Sequence, residues 1–383
     1  MRVFATALAL LSAAVAGLCA LYGYGYTPAW LNAWYQRWYL PSDRLAERAY
    51  ARQLNGKPAD GLPLFRLAVE RNPASPYRWC DYAEALLMAG QPDPARTAMN
   101  RALALGPFVG PVGMRGVNFA YRTSDRGLAI ETGRHLLGIT TDYDNEVFSA
   151  WSHLEISPRM MLQQGIPDVR AAQSFLRFQV ASANVDGAKL AWSWLVKHDG
   201  TSDPLAGAYL NLLTESHDYD SAAHAWQAYA GASPGIANGG FESEPRPLPY
   251  DWHFDRVAGL RAERDNSIAA EGRSSLRLTF DGTTNVADCG VWQRVLLSPG
   301  RYVLNLQARA DQLSTDQGVS VAVAGERSER IGGTMAWTGF AVPFTVHGDA
   351  QAIDVRMVRQ PSLKFDNKIR GRLWIDSVSI RPQ

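Results

Sequence analysis

The residues that could do chemistry are few and scattered. His217 and His224, with Asp218 and Asp220 between them, come nearest to a metal-binding cluster. On a hairpin turn leading into a helix, they suit capping and solvation better. Glu242 and Glu244 could be a carboxylate pair for glycoside hydrolysis, but that chemistry needs carboxylates flanking a cleft. These two stand beside Pro245, Pro247 and Pro249, which read as a linker. No G-x-S-x-G, G-x-x-x-x-G-K-[ST], C-x-x-C or H-E-x-x-H is present, so the expectation is a protein that is not an enzyme. What remains is surface chemistry. Trp252 and Trp292 could each be a platform on which a sugar ring lays its apolar C–H face. In the run Val291 to Leu297, alternation puts Trp292 on the same face as Arg294 and Leu296, and the arginine would favour an acidic sugar. Arg356, Arg359, Lys364, Lys368, Arg370 and Arg372 form a local positive stretch. It reads as a solvated edge, or as a surface for an anionic polysaccharide or phosphate.

Two kinds of scaffold must position these residues. From Pro41 to Pro234 the pattern is helix after helix. In residues 76–107, Trp79, Leu86 and Met99 would fill a helix–helix seam, with small Ala83, Ala95 and Ala102 allowing close approach. Gly90 to Asp93 reads as the turn, with Asp93 as N-cap, Pro94 at the first helical position and Pro107 as the stop. Gly61, Phe65, Ala68 and Pro73 recur 34 residues before Ala95, Met99, Ala102 and Pro107, as subtraction shows. Ala129 follows Ala95 at the same interval, and Ala222, Trp226 and Pro234 repeat the spacing. The array is expected to hold about five helical hairpins, enough to bury a continuous face. After Ser233-Pro234-Gly235 the composition turns to Val, Thr and Arg alternating along short runs. Leu276–Phe280, Val291–Leu297, Tyr302–Ala310, Val319–Ala324, Phe340–Val346, Ile353–Val358 and Leu373–Ile380 all read as strands. So many short strands between Gly, Pro and Asp turns make a β-sandwich.

The helical pattern resembles the tetratricopeptide (TPR) repeat, W-x2-L-G-x2-Y, then A-x3-F, then Pro, which implies a superhelical scaffold with a protein partner. The strand region has its own resemblance, carried by Asn238-Gly239-Gly240-Phe241-Glu242, Gly272-x-Ser274-Ser275-Leu276, Gln293-x-Val295, Pro299-Gly300-x-Tyr302 and Leu373 to Ile380. It is similar to the jelly-roll carbohydrate-binding modules within the wider galactose-binding-like group. That resemblance implies a sandwich that specifies the fold better than the ligand. It also implies a structural calcium between the first and last strands, at the positions of Glu242 and Asp376. Calcium takes six to eight oxygen ligands, so two carboxylates are only a start.

At the N-terminus an apolar run from Val3 to Leu21 is followed by Tyr22, Tyr24, Tyr26, Trp30, Trp34, Tyr35, Trp38 and Tyr39. Residues 3–22 are long enough to span a bilayer, and the aromatics suit its interface. The expectation is an uncleaved single-pass anchor in the inner membrane, with the bulk of the chain periplasmic. A cleaved secretory signal ending at Ala14-Val15-Ala16 is the other reading. A formal net charge of +1 gives no case for a nucleic-acid partner. Cys19, Cys80 and Cys289 fall in three different regions and form no disulfide framework. The whole therefore reads as an α + β multidomain chain. Residues 1–40 are a membrane helix with an aromatic segment, 41–234 a TPR-like α-solenoid, and 235–383 an antiparallel β-sandwich of jelly-roll type. The role that fits is a membrane-anchored envelope scaffold in making or exporting cell-surface polysaccharide. The rival is a protein-assembly factor whose sandwich is structural or binds protein.

Overall fold

The computed structural model describes residues 10–17, 20, 29–56, 58–231, 235–314, 316–349, 351–365 and 367–383. The expected span 3–22 lies mostly outside these residues, as do Tyr22, Tyr24, Tyr26, Cys19 and Pro234. Residues 10–17 are helical. Among the described residues no helix is long and apolar enough to cross a membrane. The chain divides into two compact units, Met1–Ala171 and Ala172–Gln383.

Among the described residues the regular elements of the first unit are all helical. It begins with α1 (Ala29–Trp38), whose Trp30 and Trp38 stand exposed. Then come α2 (Ser42–Asn55), α3 (Leu62–Arg71), α4 (Pro76–Met88), α5 (Pro92–Leu105), α6 (Gly110–Arg122), α7 (Arg126–Ile139) and α8 (Asp144–His153). A short turn α9 (Pro158–Met160) runs into a π-helical stretch, Met161–Gly165, and α10 (Val169–Ala181) starts at the end of this unit and lies mostly in the second. The expected seam is there. Ala83, Leu86, Ala95, Met99 and Ala102 are all buried in one cluster, with Trp79 packed against it. Phe65 and Ala68 are buried at the equivalent seam one repeat earlier. One boundary differs from expectation. Helix α5 starts at Pro92, not Pro94, and its N-cap is Gln91 rather than Asp93. Gly90, at φ +74°, already completes the turn, and the fixed φ of Pro92 suits a first helical position. Farther on, the indole of Trp151 is fully buried and donates to the Ala129 carbonyl at 2.9 Å. A Cβ at Gly133 would come within 2.6 Å of that ring, and one at Gly165 within 2.4 Å, so both glycines leave room for it.

The second unit joins helices and sheets. Helices α11 (Val185–Lys197), α12 (Asp203–Glu215) and α13 (Tyr219–Ala230) precede two five-stranded antiparallel sheets. The strands are β1 (Trp252–Phe254), β2 (Leu260–Asp265), β3 (Ser275–Asp281), β4 (Asp288–Leu297), β5 (Gly300–Ser314), β6 (Ser320–Val323), β7 (Glu326–Arg327), β8 (Gly333–Val346), β9 (Gln351–Val358) and β10 (Arg370–Pro382). One sheet runs β1-β4-β9-β6-β7, the other β2-β3-β10-β5-β8. Their inner faces share one core, in which Leu276, Val291, Val295, Leu304, Val355 and Ile375 are fully buried. The stretch from Gly235 to Asp251 is no free linker. The Arg246 guanidinium makes a two-pronged pair with Asp203 of α12, and Tyr229 of α13 donates to the same carboxylate at 2.7 Å. Tyr250 bonds Thr214 and packs edge-on to Trp226, their ring centroids 5.7 Å apart. The change from helix to strand composition near residue 235 is thus not where the chain separates into compact units.

Candidate functional site

Alternation along β4 turns Val291, Gln293, Val295 and Leu297 inward and leaves Trp292, Arg294 and Leu296 half-exposed on the outer face. Register then sets the row across the sheet: His253 of β1 pairs with Trp292, which pairs with Arg356 of β9, which pairs with Ala322 of β6. The Trp292 indole stacks on the His253 imidazole, centroids 4.0 Å apart and planes 10° from parallel. Its N–H donates to Asp255 at 2.9 Å, which fixes the ring in its plane. The guanidinium carbons of Arg294 and Arg356 lie 5.7 and 6.0 Å from the ring centroid. This makes a rigid, partly wet aromatic shelf.

The neighbouring charges are already matched. Arg294 pairs two-pronged with Asp354, at 2.8 and 3.3 Å, and Arg356 pairs with Asp288 at 3.0 Å. The expected preference for an acidic sugar through Arg294 is therefore corrected: the arginine fork is committed to a carboxylate of its own sheet. Trp252 is corrected too. It is 2% exposed, sits in the core beside Phe241 and gives its N–H to the Asn238 carbonyl. The reason is parity: Trp252 pairs with Gln293, an inward position, so its ring faces the other sheet. Trp374 is buried as well, its N–H on Asp265 at 2.9 Å.

One end of the outer face is covered. Ala223, Trp226 and Gln227 of α13 face Arg294 and Leu296 across a crevice of about 20 Å³. Beside it, an open cleft of about 830 Å³ runs between the α12–α13 turn, His217 to Asp220, and Ser298, Pro299, Asp349 and Gln351 of the sandwich. In that turn Asp218 caps α13 and pairs with Lys189, while His224 bonds the Asp220 carbonyl. The histidines and aspartates do not converge on one point, and no group of three or more metal-ligating side chains occurs among the described residues.

Glu242 and Asp376 lie close together, both beside Gly240. Glu242 accepts from the N–H groups of Arg273 and Ser274, at 2.8 and 3.1 Å, and these hold its carboxyl below the usual range. Asp376 is fully buried and accepts from the N–H groups of Ala270, Glu271 and Ser377. Burial still leaves its carboxyl raised, with the charge of Glu242 adding to the effect. Five backbone N–H groups thus bond the two carboxylates. The pair stands as a backbone clamp, and among the described residues no third His, Cys, Asp or Glu joins it in a metal-holding group. Glu244, mostly exposed, pairs with Arg264 at 2.8 Å.

The first unit holds a second surface that the sequence did not disclose. Asp81 of α4, almost fully buried, accepts from Tyr50 of α2 at 2.7 Å and lies 2.9 Å from Arg115 of α6. Arg78 and Glu84 complete the network, at 3.0 Å from Asp81 and 2.7 Å from Arg115. Burial, reinforced by the bond to Asp81, pushes the Tyr50 hydroxyl well above its ordinary value. Asp81 and Arg115 stand 34 residues apart, one repeat, so the signal was available as a charge pair at repeat spacing. Farther along the same row of helices, Met114, Asn118 and Tyr121 of α6 face Asn145, Ser149 and His153 of α8 across a hollow of about 630 Å³.

No protein-family model and no curated protein matches the chain. Among solved structures it is similar to Pseudomonas aeruginosa pilF, 15% identical with a TM-score of 0.29, over 50% of this chain and 93% of that one. It is similar to the CBM22-1–GH10 modules of the Clostridium thermocellum xylanase Xyn10B, complexed with xylohexaose, at 11% identity and a TM-score of 0.29. That likeness covers 40% of this chain and only 29% of the xylanase modules. A CBM4 structure is 14% identical, with a TM-score of 0.27, over 39% of this chain and 99% of that one.

Proposed function

We propose that this chain is a non-enzymatic scaffold of the cell envelope, anchored by its N-terminal apolar run with its bulk outside the cytoplasm. Its work on this reading is in making or exporting cell-surface polysaccharide. The helical hairpins take a protein partner and the sandwich takes an extended glycan. The observation that carries the reading is the Trp292 shelf, an indole fixed by His253 and Asp255 on the outer sheet face. Covering half of an indole, roughly 100 Å², contributes about 2–3 kcal/mol at about 25 cal/mol per Å². Set against the cost of association, that gives only roughly millimolar binding from one platform, so several sugar rings must engage. Because Arg294 and Arg356 are paired, a neutral chain suits the shelf better than an acidic one, and binding should depend little on salt.

The test is isothermal titration of the whole chain with a panel of neutral and acidic polysaccharides, wild type against Trp292→Ala. Binding of a neutral polymer by the wild type and its loss in the variant are expected. No binding at millimolar sugar, or binding that ignores the substitution, overturns the glycan reading. The second reading is a protein-assembly factor whose sandwich is structural. It is favoured by α13, which covers one end of the very face a glycan would use, and by the hollow between α6 and α8, which suits a peptide.

A further inference from the structure

The loop between β9 and β10 has buried feet and a naked apolar tip. At its feet Arg359 is buried and donates to the Asn285 side chain at 2.9 Å and to the Val286 carbonyl at 2.6 Å. Ser362, also buried, is held from both sides by Asn285: its N–H donates to Oδ1 at 3.1 Å, and its carbonyl accepts from Nδ2 at 2.9 Å. Ile369 anchors the other end in the core. Between these fixed points Leu363 is 99% exposed and Phe365 106%. Together they make an apolar patch of the few-hundred-Å² size that often marks a contact surface. Lys364 lies between them, 3.7 Å from Asp316 and itself mostly exposed, and Lys368 and Arg370 follow, both exposed. Strand β10 starts beside this loop, and Ile380 near its other end touches Gly235. The tip therefore lies roughly 30 Å from the end of the sandwich where the helices of this unit join.

We propose that Leu363 and Phe365 insert into the interface of an anionic lipid bilayer, with Lys364, Lys368 and Arg370 against the head groups. Charge and size both select this occupant. Two side chains offer roughly 300–400 Å², less than half of the ~800 Å² per partner that a stable protein interface buries. A bilayer interface accepts a small apolar tip in a segment of net positive charge, here Lys364, Lys368 and Arg370 against Asp366, because buried area and attraction to anionic lipid add. Arg359, Ser362 and Ile369 hold both ends of the loop to the sandwich. This inference does not rest on the glycan reading or on the N-terminal run.

The experiment reads the loop itself, so that an anchor elsewhere in the chain cannot mimic the result. The full chain carrying Leu363→Cys and Cys19→Ser is labelled at residue 363 with an environment-sensitive fluorophore, Cys80 and Cys289 being buried. It is mixed with vesicles of pure phosphatidylcholine, or with one-third of that lipid replaced by phosphatidylglycerol. A blue shift on the anionic vesicles alone is expected, weakening as salt rises from about 0.1 to 0.5 M. Lys364→Glu and Lys368→Glu should each lower partitioning by about fivefold or more, and Phe365→Ser should abolish it with the fold unchanged by circular dichroism. Three results overturn the proposal: no shift on either vesicle, an equal shift on both, or a shift given only by soluble protein from a cell extract.

Discussion

Gln293 and Ala237 exchange two hydrogen bonds, from the Ala237 N–H to Oε1 at 3.0 Å and from Nε2 to the Ala237 carbonyl at 2.9 Å. A fully buried side-chain amide thereby acts as a strand partner for the chain leaving the helices. Gln293→Ala strands two backbone groups at once and should cost about 2–4 kcal/mol in chemical denaturation. Gln293→Glu should be nearly as damaging, since a carboxylate cannot donate to the carbonyl. If both variants unfold at the wild-type denaturant midpoint, the amide is not holding this junction.

The two tryptophans of the paired strands β1 and β4 should behave oppositely. Trp252→Ala empties a core site and should cost about 3–5 kcal/mol. Trp292→Ala removes an outer-face ring and should cost less than about 1.5 kcal/mol, mostly its stack with His253. Thermal melts of both variants check the contrast, and equal losses would mean that the face assignment is wrong.

Close packing in the first unit makes size the sensitive variable. Ala95→Trp should overpack the seam and cost about 1–3 kcal/mol or more, and Met99→Ala should leave a cavity costing about 2–5 kcal/mol. Gly165→Ala, whose new methyl would meet the Trp151 ring, should cost about 1–3 kcal/mol. Its rescue by Trp151→Phe, measured as a double-mutant cycle, would tie the effect to that contact.

Acid should unlock the outer side of the other sheet. Burial pushes the Asp265 carboxyl up, but bonds from Ser267 and Trp374 and the charge of Arg277 outweigh it and hold it at about 2. A depressed folded value means that the stabilisation is fully present above the unfolded value of about 3.9 and fades as pH falls toward about 2. Asp265→Asn should therefore be less stable at pH 7, by about 1.5–3 kcal/mol for its charged hydrogen bonds. The gap between wild type and variant should close near pH 2. A gap that stays constant from pH 7 to pH 3 and below would remove the carboxylate charge as the cause.

The proposed anchor predicts that, after a high-salt wash, the intact chain stays in the membrane pellet with its N-terminus at Met1. A soluble product starting at Gly17 would favour the cleaved signal instead.

The repeat seam and the main strands were legible because periodicity reports burial directly: Ala95, Met99, Val291 and Val295 all lie where their spacing put them. Three strands were not legible. β1 is three residues long and β7 two, too short to show alternation. β2 reads Leu-Arg-Ala-Glu-Arg-Asp, an edge strand whose charges protect it from mispairing but hide it from a hydrophobic pattern. The platform was half legible. Alternation within β4 placed Trp292 correctly, but Trp252 needed the register of β1, which no single run of residues carries. The pocket for Trp151 draws on Gly133 and Gly165 from separate helical segments, a relation that exists only once the chain is folded.

Helix α13 also bounds the outer face of the sandwich at one end. From Trp292 to Leu296 the free run along the strand is only about 13 Å before Trp226 and Gln227 stand in the way. Crosswise, the row His253, Trp292, Arg356, Ala322 continues over four strands for about 14 Å, and none of its members lines the crevice under the helix. A filament running along β4 past Leu296 would meet Trp226 and Gln227, whereas one laid across the row would clear them. For the proposed glycan the helix would be an end-stop on that side of the sheet.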